Sequence, residues 1–272
     1  MTEETNREWY RMKIIDCSCA VGYKTVNYEI VNHENFIVRE KVKQARDAEE
    51  LLQELDFCGI DSAIVSHNTM ADVDPGYGNR AVLAETNKAP DRLLPTWTIL
   101  PPITESQYAP QHLFPAMKAN GVQLLRAYPE RNRYLLNGVV MGDLIGEIAA
   151  AKIPLYLTPS EGWQSIYSLM KEYPTLTVIL HNYGLWSHSR LTYPLFKTYK
   201  NLYIESGDMQ TAGEIKDICS KFGSERILFG SNFPSNAIGG PLVALLGSGI
   251  TMDQMENIAY KNIERLLGEV SR

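Results

Sequence analysis

From Lys13 onward, short apolar runs alternate with longer stretches whose apolar residues recur at helical spacing. KIIDCSCA (13–20) reads as a first strand. After a long loop through Tyr23 and His33 comes ARDAEELLQELDFCG (45–59), where Ala48, Leu51, Leu52 and Leu55 share one helical face and Gly59 can close the helix. The same alternation predicts strands over 61–67, 92–100, 122–129, 153–159, 175–181, 201–207 and 225–231. Helices are predicted over 79–88, 111–119, 138–152, 163–172, 190–199 and 211–222, with two more around 242–246 and 252–267.

About eight strands, each followed by a helix, in a chain of this length predict an α/β fold, the (β/α)8 TIM barrel. Runs such as TLTVIL and RILFG are apolar on both faces, as parallel strands covered by helices must be. A doubly wound sheet is the rival, but VGYKTVNYEI stands where its glycine-rich fingerprint would follow the first strand. One barrel domain spanning 1–272, with a short polar N-terminal segment, is therefore expected.

The composition fits one large core: 272 residues, 44% hydrophobic and 21% charged. A net charge of −6, with scattered basic residues, argues against nucleic acid or an anionic membrane as partner. MTEETNREWYRMK lacks the apolar core of a signal peptide and no later run approaches a membrane span, so a cytoplasmic location is expected. Cys17, Cys19, Cys58 and Cys219 lie in apolar segments, which suits reduced buried thiols. Cys17 and Cys19 have opposite strand parity to Ser18 and are expected to point outward, under the helices.

A barrel gathers its working side chains at the carboxyl ends of the strands. Those ends carry Asp16 and Ser18, His67, Arg126 with Tyr128, Thr158 with Glu161, His181 with Asn182, Glu205 with Asp208, and Asn232. Asn232 sits in ILFGSNFPSN (227–236), in a turn rimmed by Phe and Pro where a polar side chain suggests a ligand. Arg126, in an apolar strand, needs an anion: either a substrate carboxylate or phosphate, or a structural partner such as Glu205 or Glu161. Glu161 and Trp163 offer an acid and an aromatic wall, or else simply begin a helix. Tyr23 and Tyr28 are candidates for a lid.

IIDCSCAVG, AEELLQELDFCGIDSAIVS, EYPTLTVILHNYG, NLYIESG, ERILFGSNFP and NIERLLG resemble the amidohydrolase-related family of the amidohydrolase superfamily, over most of the chain and in the same order. The resemblance implies a distorted (β/α)8 barrel that binds one or two divalent metals and hydrolyses amides, esters or lactones, or decarboxylates aromatic and related acids. It also implies a homodimer. In that family an Asp-x-His-x-His pattern on the first strand, histidines on the fifth and sixth, and an aspartate on the eighth form the site. The corresponding positions here are Ser18 and Ala20 after Asp16, then Thr158, His181 and Asn232.

Hydroxyl, methyl and amide groups replace imidazole and carboxylate poorly as ligands, so no cofactor is expected. The alternative is zinc or manganese held by His181 with Glu205 or Asp208, or with His67. The expected function is a hydrolase or decarboxylase-like enzyme acting without metal on a small anionic substrate. His181 or Glu205 would transfer protons, Arg126 would bind the anion, and Asn232 and Thr158 would position the reacting group. Ser18, His67, Tyr128, Glu161 and Trp163 would complete the substrate pocket. Two other readings stand beside it: a non-catalytic small-molecule-binding protein, and a metal-dependent hydrolase with a rearranged site.

Overall fold

The structure, a computed structural model, describes residues 12–22, 45–159, 162–184 and 189–271. Eight strands follow one another in sequence order: β1 (Ile15–Val21), β2 (Ser62–His67), β3 (Leu93–Thr98), β4 (Leu124–Arg126), β5 (Leu155–Leu157), β6 (Val178–Leu180), β7 (Leu202–Glu205) and β8 (Ile227–Leu228). Every adjacent pair is parallel. The circle closes through backbone bonds of 2.8 Å from Cys17 N–H to the Phe229 carbonyl and from Ala20 N–H to the Phe233 carbonyl. With helices between the strands, this is the expected (β/α)8 barrel.

Local chemistry sets the elements. The Ala48–Cys58 helix starts where the Asp47 side chain accepts the Glu50 N–H at 3.0 Å, and it ends at Gly59 with φ 70°. Its Ala48, Leu51 and Leu55 are fully buried, each leucine contributing about 1.5–3 kcal/mol. The helix predicted over 138–152 divides at Gly142, whose φ of 55° suits glycine, into Gly138–Met141 and Leu144–Ala150. Likewise the 252–267 helix is interrupted by a π-helical turn over Asn257–Lys261.

That turn explains why β8 is shorter than its apolar run. The Phe229 N–H donates to the Ile258 carbonyl at 2.9 Å, and the Ser231 N–H to Asp16 Oδ1 at 2.9 Å, so the backbone leaves the strand ladder after Leu228.

Inside the barrel, Ile15, Cys17, Ile64, Leu124, Tyr156, Ile179, Tyr203 and Leu228 form one apolar layer, joined by Ile263 and Leu266 of the last helix. Side chains alternate along a strand, so residues two further on share the inward face at the carboxyl end: Arg126 above Leu124, His181 above Ile179, Glu205 above Tyr203. The outward expectation for Cys17 is thus corrected. A register irregularity between Asp16 and Cys19 breaks the simple parity of β1 and leaves Cys17 in the interior layer, while Cys19 packs in the core outside that layer, as expected, and borders the mouth. All four cysteines are free thiols. Among the described residues no helix is long and apolar enough to cross a membrane.

Candidate functional site

A cavity of about 570 Å³ opens at the carboxyl ends of the strands. Ser18, His67, Arg126, Tyr128, Thr158, His181 and Asn232 all line it, brought together from six strands and the loops that follow them. Trp163 does not: it begins the Trp163–Glu172 helix and packs on the core between sheet and helices. Glu205 and Asp208 are buried without lining the cavity. Glu161, Tyr23, Tyr28 and His33 lie outside the described residues.

Arg126 is 2% exposed. Its Nε donates to Thr96 Oγ1 at 3.1 Å, and its guanidinium carbon lies 4.2 Å from the centre of the Tyr156 ring. Nη2 has no hydrogen-bond partner, and none of the ion pairs among the described residues involves Arg126. Pairing with Glu205 as structural cement is therefore not what the geometry shows. Burial opposes the charge, but Tyr128, Tyr156 and Glu205 outweigh it, so the guanidinium stays ionised.

Glu205 ends β7 beside this cation. Burial drives its pKa up to about 8, Arg126 pulls it back, Asp16 raises it further, and the Ser18 hydroxyl favours the ionised form. At neutral pH the carboxyl is mostly protonated. The space it occupies depends on glycine: a Cβ on Gly230 would meet Glu205 Cδ at 2.8 Å, and one on Gly207 would meet the Gly230 carbonyl at 2.6 Å. His181, 7% exposed, is held well below its usual pKa by burial and then by Arg126. It is a neutral imidazole with Nδ1 unpartnered, edge-on to Tyr156 at 5.6 Å between ring centres.

The opposite side of the mouth is built differently. Asp16 Oδ1 accepts from the Ser18 N–H at 3.0 Å and the Ser231 N–H at 2.9 Å, tying β1 to the segment after β8. Ser231 Oγ accepts the Phe233 N–H at 3.1 Å, and the Ser66 hydroxyl donates to the Cys19 carbonyl at 3.3 Å. Asn232 has φ 59°, a left-handed conformation in which asparagine is at home. Its carbonyl accepts the Ser235 N–H at 2.9 Å, shaping the turn. Thr158 Oγ1 donates to the Asn182 carbonyl at 3.1 Å. His67 Nδ1 lies 2.8 Å from Thr69 Oγ1.

Sequence reasoning missed Tyr156, although it lies on β5 two positions before Thr158 and alternation would have found it. It also missed Asp72 and Arg131, which form an ion pair at the cavity rim. They come from separate loops, and no local pattern links them.

The sequence matches no protein-family model and none of the curated proteins. The fold has clear counterparts among solved structures. An uncharacterised TIM-barrel protein from Bordetella bronchiseptica superposes with a TM-score of 0.72 at 18% identity, covering 96% of this chain and 100% of that one. A 2,6-dihydroxybenzoate decarboxylase from Rhizobium gives 0.71 at 16% identity, over 94% and 99%. A 5-carboxyvanillate decarboxylase from Novosphingobium aromaticivorans, complexed with manganese and 4-hydroxy-3-methoxy-5-nitrobenzoic acid, gives 0.73 at 13% identity, over 95% and 97%. The resemblance to amidohydrolase-superfamily barrels drawn from the sequence therefore holds in the fold.

The manganese overturns the expectation of no cofactor, which rested on replaced ligand positions alone. Replacement at those positions leaves other strand-end donors: His181 Nδ1, Glu205 Oε1 and Asp16 Oδ2 are all buried and unpartnered. Their chemistry suits a divalent ion, yet among the described residues no three His, Cys, Asp or Glu side chains converge closely enough to hold one. Asp208, offered as a partner for His181, instead accepts the Gly184 N–H at 2.9 Å. The described side chains do not by themselves fit a metal centre.

Proposed function

We propose that the barrel mouth is an active site for a small anionic acid, and that the reaction is decarboxylation of an aromatic acid. Arg126 carries this reading. A buried guanidinium with an unpartnered Nη2 and no ion-pair partner among the described residues is completed by an anion. Leaving such a charged donor unsatisfied costs about 1–3 kcal/mol or more. Glu205, with a pKa near 8, is a carboxylic acid able to give a proton at neutral pH. Decarboxylation needs that: the carbon that bore the carboxylate takes a proton, and the electron pair of the breaking C–C bond returns to the ring as carbon dioxide leaves. Ser18 touches both the cavity and Glu205 and links the two. Neutral His181 is suited to hydrogen-bond a ring hydroxyl, with Tyr128, Thr158 and Asn232 orienting the substrate. The fold neighbours that act on dihydroxybenzoate and carboxyvanillate support the choice of an aromatic acid.

The test is a panel of hydroxylated benzoates, with lactones for comparison, assayed for carbon dioxide release and for hydrolysis, with manganese supplied and after chelation. Release of carbon dioxide by the wild type and its loss in Arg126→Met is the expected result. Lactone turnover without decarboxylation would assign the site to hydrolysis. Binding of acids without turnover of any would make the protein a receptor, a reading that the serine, alanine, threonine and asparagine at the family's ligand positions favour.

A further inference from the structure

The geometry points to Tyr156 as the residue that positions Arg126 for its ligand. The inference rests on Arg126 being the anion receptor. Tyr156 sits at the centre of β5, fully buried, and pairs in register with Arg126 on β4. Its ring covers one face of the guanidinium at 4.2 Å and meets the edge of His181 at 5.6 Å. Burial in the interior layer holds the ring, and the Tyr156 hydroxyl donates across the barrel to the Cys17 carbonyl on β1 at 2.9 Å. Of the ring's two contacts, the one with the guanidinium is the one that holds a ligand-binding group in place.

The alternative position for the guanidinium shows what this achieves. Glu205 is the acid beside Arg126, close enough to perturb its charge, yet the two form no ion pair. Thr96 holds Nε and the Tyr128 hydroxyl also bonds the side chain, while the ring covers the guanidinium face. Without the ring, Arg126 would turn onto Glu205, neutralising the cation that faces the substrate and ionising the proton donor in the same movement. A cation over an aromatic face is attracted without being neutralised, so the ring supports the charge and leaves the donor edge available.

The experiment uses the full chain and 2,6-dihydroxybenzoate as probe. Calorimetry is expected to give probe affinity within about threefold of wild type in Tyr156→Phe, which keeps the ring, and a loss of at least tenfold in Tyr156→Leu. A merely structural role is separated by the double variant: in an Arg126→Met background, Tyr156→Leu should weaken binding no further, because its effect passes through Arg126. A further tenfold loss there, or equal affinity in Tyr156→Leu and wild type, overturns the assignment.

If the wild type binds no probe, the anion-receptor reading fails and placement is read directly by NMR. The Arg126 Nε–H should be shifted upfield by the ring and slow to exchange in wild type and Tyr156→Phe, and should lose both properties in Tyr156→Leu. An Arg126 signal unmoved by Tyr156→Leu rejects the positioning role.

Discussion

The two arcs of the barrel mouth use polar residues for opposite purposes. From β8 through β1 to β2, Asp16 Oδ1, Ser231 and Ser66 spend their hydrogen bonds on backbone groups and close the barrel, with Asp16 Oδ2 left over. From β4 to β7, Arg126, His181 and Glu205 are as deeply buried, every one of the three retains an unpartnered atom and none of these atoms closes the barrel, and the two that titrate have strongly displaced pKa values. Buried polar groups are normally satisfied, so the second arc is the one arranged for something the protein does not itself contain. The most distinctive stretch of sequence, ILFGSNFPSN, belongs mainly to the structural arc.

Replacing Arg126 should break the contrast most completely. Arg126→Met is expected to cut affinity for an aromatic carboxylate by 100-fold or more, read by calorimetry, with the melting temperature unchanged or raised because a buried charge is removed. An unchanged affinity would place the anion elsewhere.

Glu205→Gln comes next. If the protonated acid is the working form, wild-type turnover should fall as pH rises through about 8, and the variant should lose at least tenfold in kcat at pH 7. Stability gives an independent reading. A carboxyl whose folded pKa is raised favours the folded state fully below its unfolded pKa and loses that contribution as pH climbs through the folded value. The variant should therefore gain on wild type between pH 5 and pH 9, by an amount on the order of a few kcal/mol, in denaturant titrations at the two pH values.

On the structural arc, Asp16→Ala should leave the Ser18 and Ser231 N–H groups without their acceptor and cost roughly 2–4 kcal/mol in chemical denaturation. A variant as stable as wild type would mean that the seam closes without it. Asn232→Ala should have the smallest effect, under about fivefold in kcat/KM, since the turn is held largely by its backbone. A loss as large as that of Arg126→Met would erase the distinction between the arcs.

Much of the barrel was legible from local pattern. Alternating apolar strands and amphipathic helices fix the number and order of elements, because burial of an apolar face is decided within a few residues. The ladder ends were not legible: β8 stops early because of Ile258, thirty residues downstream, and the parity of β1 was misjudged because an irregular strand does not announce itself. The strand-end residues were found because a barrel dictates where they must be, and most of them do line one cavity.

By itself, then, the sequence determined the barrel and the roster of polar residues at its mouth. Only the tertiary structure decided which of them are spent on holding β8 to β1 and which stay unsatisfied. It also brought in Tyr156 and the rim pair Asp72 and Arg131. Hydrogen-bond satisfaction, desolvation and the contact of a ring with a guanidinium depend on neighbours far away in the chain, and local spacing carries no record of them.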